Sequence, residues 1–461
     1  MKKSSVIGKI VIFGKLILNS PLLIGDGASE DSENTKDIHV LKNQNNVPFI
    51  PGTSLCGVLR EYMENVNPRM VKNIFGDAET VQSSIQIEDI ELENYKIVFR
   101  DGVKIDSFTG TGIDGGKYDY EAIDRGAFGN IRVTMTLRKY HIDAGGDDSN
   151  YNLKKIFEAI SQIILKLEDG IRLGALTAKG FGEVVVEELK AGFYDFRNKA
   201  DVISWLEQKS PTPENASVDI LPTADNNFIN DNDFIVDADF LFNSSFIIRN
   251  YEVSKEDNAK NISAVSLKSK NDFVIPGTSL KGILRHRAEY ILRKFNFNED
   301  VLDSLMGNSS TDGKKIKSRF IVSESYISTK NTREIIHTRN KIDRFTGGTL
   351  QGTLFSTKPV WQEESKEPSL HIHFEIHNVK DDSEVGLALF LIRDLWMGKV
   401  AIGGEKSIGR GTLQGLSAKI SYNGKIYELD KSGKVTNGDS AELSKFAKSV
   451  KTFADKAGVN N

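Results

Sequence analysis

The sequence is poor in cysteine and has no long apolar run. Its single cysteine, Cys56, excludes an internal disulfide and is typical of a reducing compartment, so we expect a cytoplasmic protein. No apolar run reaches the roughly 18 residues that a membrane-spanning helix needs. Residues 1–5 lead directly into an alternating strand pattern, so we expect no signal peptide.

Several catalytic signatures are also missing. The sequence has no Walker A phosphate loop, no Ser-His-Asp signature and no metal-ligand cysteines, so nucleotide hydrolysis is unsupported. The net charge of −4 is a weak argument against nucleic acid, which usually selects basic proteins. The charge is uneven, however, because residues 25–37 are mainly acidic and residues 279–294 mainly basic. Local fields of this kind decide binding.

The sequence does contain one phrase twice, Ile-Pro-Gly-Thr-Ser-Leu-x-Gly-x-Leu-Arg, at residues 50–60 and 275–285. Further matches follow in the same order: Ile-Asp-x-Phe-Thr-Gly at 105–110 and 342–347, and Gly-x-Gly at 180–182 and 409–411. The separation is that of whole domains and exceeds the 20–50 residues of a solenoid repeat. The sequence therefore predicts a tandem duplication.

Each half has the order strand, helix, hairpin strands, helix, strand. This order predicts an α+β chain of two tandem ferredoxin-like (RRM-like) domains, each with a hairpin insertion. In the first strands we expect Phe13, Ile17, Phe240 and Phe242 to face inward. The predicted boundaries are a first domain over 1–190, a linker over 191–230 with a short helix near Trp205, a second domain over 231–422, and a C-terminal extension over 423–461 with a peripheral helix over 440–457.

The repeated phrase places small residues and hydroxyl groups at the start of a helix. Free backbone N–H groups and the helix dipole favour a phosphate there, and glycine allows close approach of a phosphodiester. We expect Thr or Ser to cap the helix. The alternative is an ordinary capped helix start. The candidate RNA-binding residues are Gly52, Thr53, Ser54 and Arg60 in the first half, and Gly277, Thr278, Ser279, Lys281 and Arg285 in the second.

Two further segments could bind RNA. The glycine-rich loops offer bare backbone beside a basic residue, as in phosphate-binding concavities. Their candidate residues are Lys179, Gly180 and Gly182 in the first half, and Lys406, Gly409 and Arg410 in the second. The hairpins place Phe108, and Phe345 beside Arg344, where aromatic rings could stack on unpaired bases. We interpret the aspartates of the hairpins, Asp106 and Asp343, as acceptors for turn amides.

Three histidines, His371, His373 and His377, alternate with Glu375 along one predicted strand. His-x-His is a geometry that zinc uses. The first half has no counterpart, however, so we interpret these residues as the solvent face of a sheet strand.

Together these elements resemble the RAMP superfamily (repeat-associated mysterious proteins), and specifically the backbone subunit of type III CRISPR effector complexes, here as two fused copies similar to subtype D. The resemblance implies an antiviral role in which the subunit lines up along a guide CRISPR RNA. The helix-start phrase and glycine-rich loop would hold phosphates, and the hairpin would act as a thumb that displaces bases. Cys56 stands where the family has lysine, which implies weaker phosphate binding in the first half. The implied partners are guide RNA, single-stranded target RNA, backbone neighbours, a small subunit and a large polymerase-like subunit.

The resemblance also implies that the subunit cleaves target RNA with Mg²⁺ or Mn²⁺, which requires an aspartate upstream of the Pro-Gly phrase. Asp37 is the expected catalytic residue, although His39 stands where the family usually has proline, and Asp26 is the runner-up. The carboxylate would position the metal or orient a ribose 2′-hydroxyl. The second half has no aspartate in register, so we expect one active site, in the first half; the metal ligands stay unassigned.

Two alternatives stay open. The chain could be a guide-RNA scaffold without catalysis. It could also be an endoribonuclease that matures precursor guide RNA, a reaction that would recruit His286 or His337 and would not require a metal.

Overall fold

The computed structural model describes residues 5–27, 38–77, 79–142, 149–208, 218–219, 232–250, 257, 262–295, 301–308 and 315–452. The chain forms two compact units. The first unit comprises residues 1–104, 114–177 and 181–228, and the second comprises residues 105–113, 178–180 and 229–461. Within the described residues, no helix has both the length and the apolar character to cross a membrane.

The first half of the chain is an α+β arrangement. Its helices are α1 (Gly52–Val66), α2 (Pro68–Phe75), α3 (Lys139–Ile142), α4 (Ser149–Asp169) and α5 (Lys199–Leu206). Its strands are β1 (Val6–Leu18), β2 (Phe49–Ile50), β3 (Ile85–Ile87), β4 (Ile90–Glu91), β5 (Ile97–Ile105), β6 (Gly112–Ile123), β7 (Phe128–Arg138), β8 (Ile171–Arg172), β9 (Glu183–Asp195) and β10 (Val218–Asp219).

Strand β1 is at the centre of the first sheet, between β7 and β9, and both pairings are antiparallel. The sheet order is β10-β9-β1-β7-β3, with β8 beside β9. Helices α1 and α4 cover one face, because their apolar stripes, including Leu59 and Ile160, join a core with Ile12 and Leu16 of β1. Each such buried side chain stabilises the fold by about 1.5–3 kcal/mol.

The second half repeats this arrangement with additions. Its helices are α6 (Gly277–Lys294), α7 (Val301–Met306), α8 (Asp382–Trp396) and α9 (Ser440–Ser449), with short 3₁₀ turns at Lys406–Ile408 and Val450–Thr452. Its strands are β11 (Phe234–Phe242), β12 (Ser245–Phe246), β13 (Arg249–Asn250), β14 (Ile262–Ser266), β15 (Lys268–Ser269), β16 (Asp272–Ile275), β17 (Phe320–Val322), β18 (Ser325–Ile327), β19 (Thr332–Glu334), β20 (His337–Arg339), β21 (Phe355–Lys358), β22 (Val360–Gln362), β23 (Leu370–Ile376), β24 (Leu413–Tyr422), β25 (Lys425–Leu429) and β26 (Val435–Asn437).

Strand β11 is the counterpart of β1, since it lies between β23 and β24 and pairs antiparallel with both. The larger sheet has the order β15-β16-β18-β23-β11-β24-β25-β26, with β17 beside β23. A smaller sheet, β13-β14-β21-β20, lies in the same unit and carries part of the site described below. The predicted fold class is confirmed: the chain is α+β, with two tandem ferredoxin-like domains.

The inward face of β1 differs from the prediction. Phe13 and Ile17 are only partly buried, whereas Ile12 and Leu16 are fully buried. Lys9 and Lys15 share the face of Phe13 and Ile17, so the wholly apolar face with Ile12 and Leu16 is the one that meets the helices, and the prediction chose the wrong face. In β11 the expected Phe240 and Phe242 are buried.

Two segments outside the predicted domains take part in the sheets. Strand β9 runs to Asp195, inside the predicted linker, and α5 carries Trp205 as expected. In the predicted C-terminal extension, β25 and β26 extend the larger sheet. Helix α9 is not peripheral, because Phe446 is buried and its carbonyl oxygen would lie 2.1 Å from a Cβ at Gly386.

Candidate nucleic-acid interface

The first copy of the repeated phrase begins helix α1 without a side-chain cap. The helix starts at Gly52 after extended Pro51, so Thr53 and Ser54 lie in its first turn and do not cap it as expected. The Gly52 amide donates to the exposed carboxylate of Asp89 at 2.8 Å. This carboxylate lies where the sequence predicted a phosphate.

Gly52 is required by packing within the protein. A Cβ at this position would lie 2.1 Å from the carbonyl oxygen of Ile87. The backbone of Ile87 therefore occupies the space that the absent side chain of Gly52 leaves, where the sequence predicted close approach of a phosphodiester. Arg60, one turn after Cys56, is partly exposed and bonds to Glu64 at 3.1 Å.

The second copy begins helix α6 at Gly277, again without a side-chain cap and with Thr278 and Ser279 in the first turn. Lys281 is buried, and its Nζ donates to Ser318 Oγ at 2.6 Å and to the Phe320 carbonyl at 2.8 Å. Burial first, and then the charges of Lys179 and Arg285, lower the pKa of Lys281 to about 7. The expected phosphate-binding lysine thus bonds to protein oxygens.

Arg285 is also bound within the protein. Its guanidinium donates to Glu289 at 3.2 Å, to Asp303 at 2.7 Å and to the Gly307 carbonyl at 2.6 Å. Lys281 and Arg285 therefore both contribute to the fold of the second unit.

The hairpin turns present their aromatic rings to solvent. Phe108 is 87% exposed and Phe345 is 100% exposed, and Arg344 beside it is also exposed. Asp106 accepts from the Thr109 and Phe108 amides at 2.7 and 3.0 Å, and the hydrogen bonds from Thr109 contribute most to lowering the pKa of Asp106. Asp343 accepts from the Phe345 amide at 2.9 Å. The interpretation of both aspartates as turn acceptors is confirmed.

The first glycine-rich loop, residues 173–182, encloses apolar side chains. Phe181 is fully buried and forms a cluster with Leu23, Tyr120 and Ala122, against which Leu176 packs. Gly182 lies against the Leu173 carbonyl, 1.8 Å from where its Cβ would be.

Lys179 and Gly180, although part of this loop, belong to the second unit. Lys179 is partly buried, and burial followed by the charge of Arg285 lowers its pKa. Gly180 is buried, and a Cβ there would lie 2.7 Å from the Glu324 amide nitrogen. Neither residue has the open position that a phosphate concavity requires.

The second glycine-rich loop, residues 402–411, encloses a charged cluster. Arg410 is 2% exposed and donates to Glu405 Oε2 at 2.8 Å and to Ser245 Oγ at 2.7 Å. Glu405 Oε1 accepts from Arg249 at 3.0 Å and from Arg339. Lys406 and Gly409 are exposed at the loop surface.

Sequence reasoning found Arg410 in this cluster but missed its partners. Arg249, Arg339 and Glu405 lie on separate segments of the chain, and no local pattern links them. A comparison of the two repeats offered the only signal, because charged Glu405 and Arg410 stand where the first repeat has apolar Leu176 and Phe181.

The expected catalytic Asp37 lies outside the described residues. Asp26 is exposed, and its amide donates to the His39 carbonyl at 3.2 Å. His39 Nδ1 lies 3.4 Å from Glu121 Oε1, and Glu121 also accepts from the Val40 amide at 3.2 Å. The structure therefore places the backbones of Asp26 and His39 next to each other in the first unit, and both residues are exposed.

The histidines of β23 lie on the open face of the sheet, as interpreted. His371 is more than half exposed and lies between Asp237 and Asp239, at 3.3 and 3.0 Å. The hydrogen bond to Asp237 is the main cause that raises the pKa of His371 to about 9. In the described part of the chain, no group of three or more His, Cys, Asp or Glu side chains is arranged to hold a metal.

Comparison with known proteins gives one family. The model of the RAMP superfamily matches residues 15–185 and 228–414, well over half of the chain. No curated protein matches. A chain of the cryo-EM structure of the type III-B Cmr-beta bound to cognate target RNA is similar over 40% of this chain and 61% of that chain, less than two thirds of its length, with 16% identity and a TM-score of 0.29. That likeness is too low to indicate a shared function. The double family match coincides with the two repeats, and the chain belongs to the RAMP superfamily.

Proposed function

We propose that the chain is a guide-RNA-binding backbone subunit of a type III CRISPR effector complex, and that it cleaves complementary target RNA at a site in its first repeat. Its partners would be guide CRISPR RNA, single-stranded target RNA, neighbouring backbone subunits, a small subunit and a large polymerase-like subunit. Family membership and the tandem repeat support this proposal.

The two exposed hairpin aromatics carry the proposal. Phe108 and Phe345 hold equivalent turn positions, and each turn is braced by an aspartate that accepts backbone amides. A large apolar ring fully in water has no packing role in the folded chain. Stacking on an unpaired base gives such a ring a partner.

The proposed catalytic residue is Asp37, from the resemblance, and the exposed carboxylate of Asp26 is the runner-up. Mg²⁺ is usually held through one or two carboxylates together with substrate phosphates and water, so one or two aspartates fit such an ion. The bound ion would supply charge stabilisation at the scissile phosphate. Asp26 follows Gly25, which bridges to Val40.

RNA that co-purifies with the protein from its native host is the first test. Short RNAs of uniform length from a CRISPR array would support guide binding. A random mixture of cellular RNA, or none, would contradict the proposal.

Cleavage is tested on the purified complex with labelled target RNA. Asp37→Ala is expected to abolish cleavage at one set of positions, and Asp26→Ala is the second variant. Asp31→Ala, a neighbouring carboxylate in the same polar segment, is the matched control. Cleavage that needs Mg²⁺ or Mn²⁺ and stops with chelator would support the metal-dependent reaction, and unchanged cleavage by both variants would favour a scaffold whose neighbours cut.

Cleavage that persists in chelator would instead favour maturation of precursor guide RNA. The position of His337 weighs against that reaction. Its Nδ1 bonds to Arg410, and its ring packs edge-on against Trp361 at 6.2 Å. A general base needs its acceptor nitrogen free for the substrate hydroxyl.

A further inference from the structure

The first sheet has an open face, opposite the face that helices α1 and α4 cover. Phe13 and Lys15 of β1 lie on this open face, because the residues that alternate with them point into the core. Lys190 of β9 is paired with Phe13, and Phe128 of β7 is paired with Ile17, so both share that face. We define the sheet-face patch as Phe13, Lys15, Phe128 and Lys190.

An ammonium group lies over each aromatic ring of the sheet-face patch. Lys15 Nζ is 4.0 Å from the centroid of the Phe128 ring, and Lys190 Nζ is 5.8 Å from the centroid of the Phe13 ring. Both rings are partly exposed. Within the described residues, neither ring belongs to a core cluster and neither lysine forms an ion pair with a carboxylate. A cation–π contact at an exposed site is weak, so a ligand can displace each lysine easily.

The second repeat has different residues at the equivalent positions. Counted from the end of each strand, Asp237 and Asp239 of β11 stand where β1 has Phe13 and Lys15. His371 lies 3.3 and 3.0 Å from these two carboxylates, so the open face of the second sheet pairs its own charged groups. The fold therefore does not require aromatic rings at this place in the sheet.

We propose that the sheet-face patch binds unpaired bases of single-stranded RNA, with Phe13 and Phe128 as stacking rings and the two lysines as phosphate contacts. RNA-recognition modules with this fold stack two or three bases on aromatic side chains of the sheet. A base that displaces a lysine from a ring leaves the ammonium group free for the adjoining phosphate. The inference goes beyond the proposed function, because no residue of the patch belongs to the hairpins, the repeated phrase, the glycine-rich loops or the proposed cleavage site.

Helix α5 covers the other end of the same face. Trp205 of α5 packs edge-on against Tyr194 at 5.8 Å, and Lys9 Nζ lies 5.6 Å from its ring. Lys9 is four residues before Phe13 on β1, whereas Phe128 is paired with the residue four positions after Phe13. The two rings of the patch are thus about 13 Å apart along the strand direction. A short single strand lying along β1 can reach both.

Binding of a short labelled oligouridine to the full chain tests the stacking role. Phe13→Leu keeps an apolar side chain but removes the aromatic ring, and it should weaken binding about 10-fold. Phe390→Leu is the matched control, because Phe390 is also partly exposed and has the Arg393 guanidinium carbon 4.5 Å from its ring. The control should leave the affinity unchanged. Equal affinities of the two variants would overturn the proposal.

The salt dependence of binding tests the phosphate contacts. Lys190 and Lys419 hold equivalent strand positions, since Lys190 is paired with Phe13 and Lys419 with Asp237. Lys190→Gln should reduce the slope of log affinity against log salt concentration by about 0.7, the value for one phosphate contact. Lys419→Gln removes the same charge from the second sheet and should leave the slope unchanged. An equal reduction in both variants would show a diffuse field and overturn the assignment to the patch.

Photocrosslinking of the wild type to thiouridine-containing RNA does not depend on the folding of a variant. Adducts on the peptides with Phe13 or Phe128 would support the proposal. Adducts confined to the hairpins would overturn it and leave the proposed function intact. A patch that binds polyglutamate in place of RNA, with affinity lost in Lys190→Gln but not in Phe13→Leu, would be a docking surface for an acidic protein. The proposed function fails separately, if protein from the native host carries no guide RNA while the patch still crosslinks.

Discussion

The two glycine-rich loops have the same backbone conformation, but the first encloses apolar side chains and the second encloses charged ones. Leu176 and Glu405 hold equivalent positions and both adopt left-handed backbone angles, with φ of 59° and 57°. Gly182 and Gly411 are equally close to a carbonyl, since their Cβ atoms would lie 1.8 Å from Leu173 O and 1.9 Å from Ile402 O. The turn is therefore fixed by the fold in both repeats.

The side chains inside the loops have diverged. The first loop buries Phe181 among Leu23, Tyr120 and Ala122, whereas the second buries Arg410 with Glu405. An apolar cluster is stabilised by burial alone and has no affinity for an anion. A buried ionic cluster costs desolvation, and apolar residues of similar volume are often equally or more stabilising in its place. The comparison indicates that the second loop is specialised for charge and the first for packing.

Exchanging the buried residue of the first loop should have the largest effect. Phe181→Arg would place a guanidinium in an apolar cluster without a carboxylate, at a cost of about 4–5 kcal/mol in the free energy of unfolding. Trp205 reports on the first unit in urea denaturation, because the other two tryptophans, Trp361 and Trp396, lie in the second unit.

Phe181→Leu is the control for this exchange. It keeps an apolar side chain and should cost only about 1 kcal/mol. If Phe181→Arg cost no more than Phe181→Leu, the first loop would tolerate a buried charge. The two loops would then not differ in the kind of side chain that they can enclose.

Breaking the ionic cluster of the second loop should have a smaller effect. Arg410→Met should cost about 3 kcal/mol, because Glu405 loses one partner but keeps Arg249 and Arg339. The double variant Arg410→Met with Glu405→Gln should lose less free energy of unfolding than the sum of the losses in the two single variants, with a coupling energy of about 1–3 kcal/mol. Strict additivity, measured by urea denaturation, would show that the two side chains do not act as a pair.

Much of the fold could be predicted because local sequence patterns determine it. The repeated phrase indicated the duplication, and the helical stripe of residues 153–167 indicated α4, which spans Ser149–Asp169. The face of β1 was predicted wrongly although the sequence contained the signal, because Lys9 and Lys15 stand on the same face as Phe13 and Ile17 and leave the other face wholly apolar.

The site was less predictable than the fold. Exposure of the hairpin aromatics followed from a Gly/Thr-rich turn, which cannot build a core. Burial of Lys281 did not follow, because its partners Ser318 and the Phe320 carbonyl come from a distant strand region. The sequence indicated a free lysine at a helix start, where only tertiary packing decides exposure.

Lys281 and Cys56, at equivalent positions, should give opposite pH dependence. Above pH 7 the unfolded chain keeps the Lys281 proton while the folded state, with a pKa of about 7, loses it. The free energy of unfolding should therefore rise with pH, by at most about 1.4 kcal/mol per unit, until the ordinary lysine pKa is reached. Burial raises the pKa of Cys56, so the unfolded thiol ionises first and stability falls as pH rises past its unfolded value.

Urea denaturation across pH 7–10 compares the wild type with Lys281→Met and Cys56→Ala. The difference between the wild type and Lys281→Met should grow in favour of the wild type as pH rises. The difference for Cys56→Ala should move the other way. Parallel curves for the wild type and Lys281→Met would mean that the lysine keeps its proton in the folded protein.

Replacement of the hairpin aromatics should have the smallest effect on stability. The effect should be the same in both repeats, whereas replacements in the two glycine-rich loops should have different effects. Phe108→Ala and Phe345→Ala should leave the free energy of unfolding within about 0.5 kcal/mol, because both rings are exposed. Each should weaken RNA binding by about 1–3 kcal/mol if a base stacks on the ring. Leu206→Ala removes a side chain that is 72% exposed on α5 and serves as the control. A loss of RNA affinity on substitution in one hairpin alone would show that the repeats differ in their hairpins as well as in their glycine-rich loops.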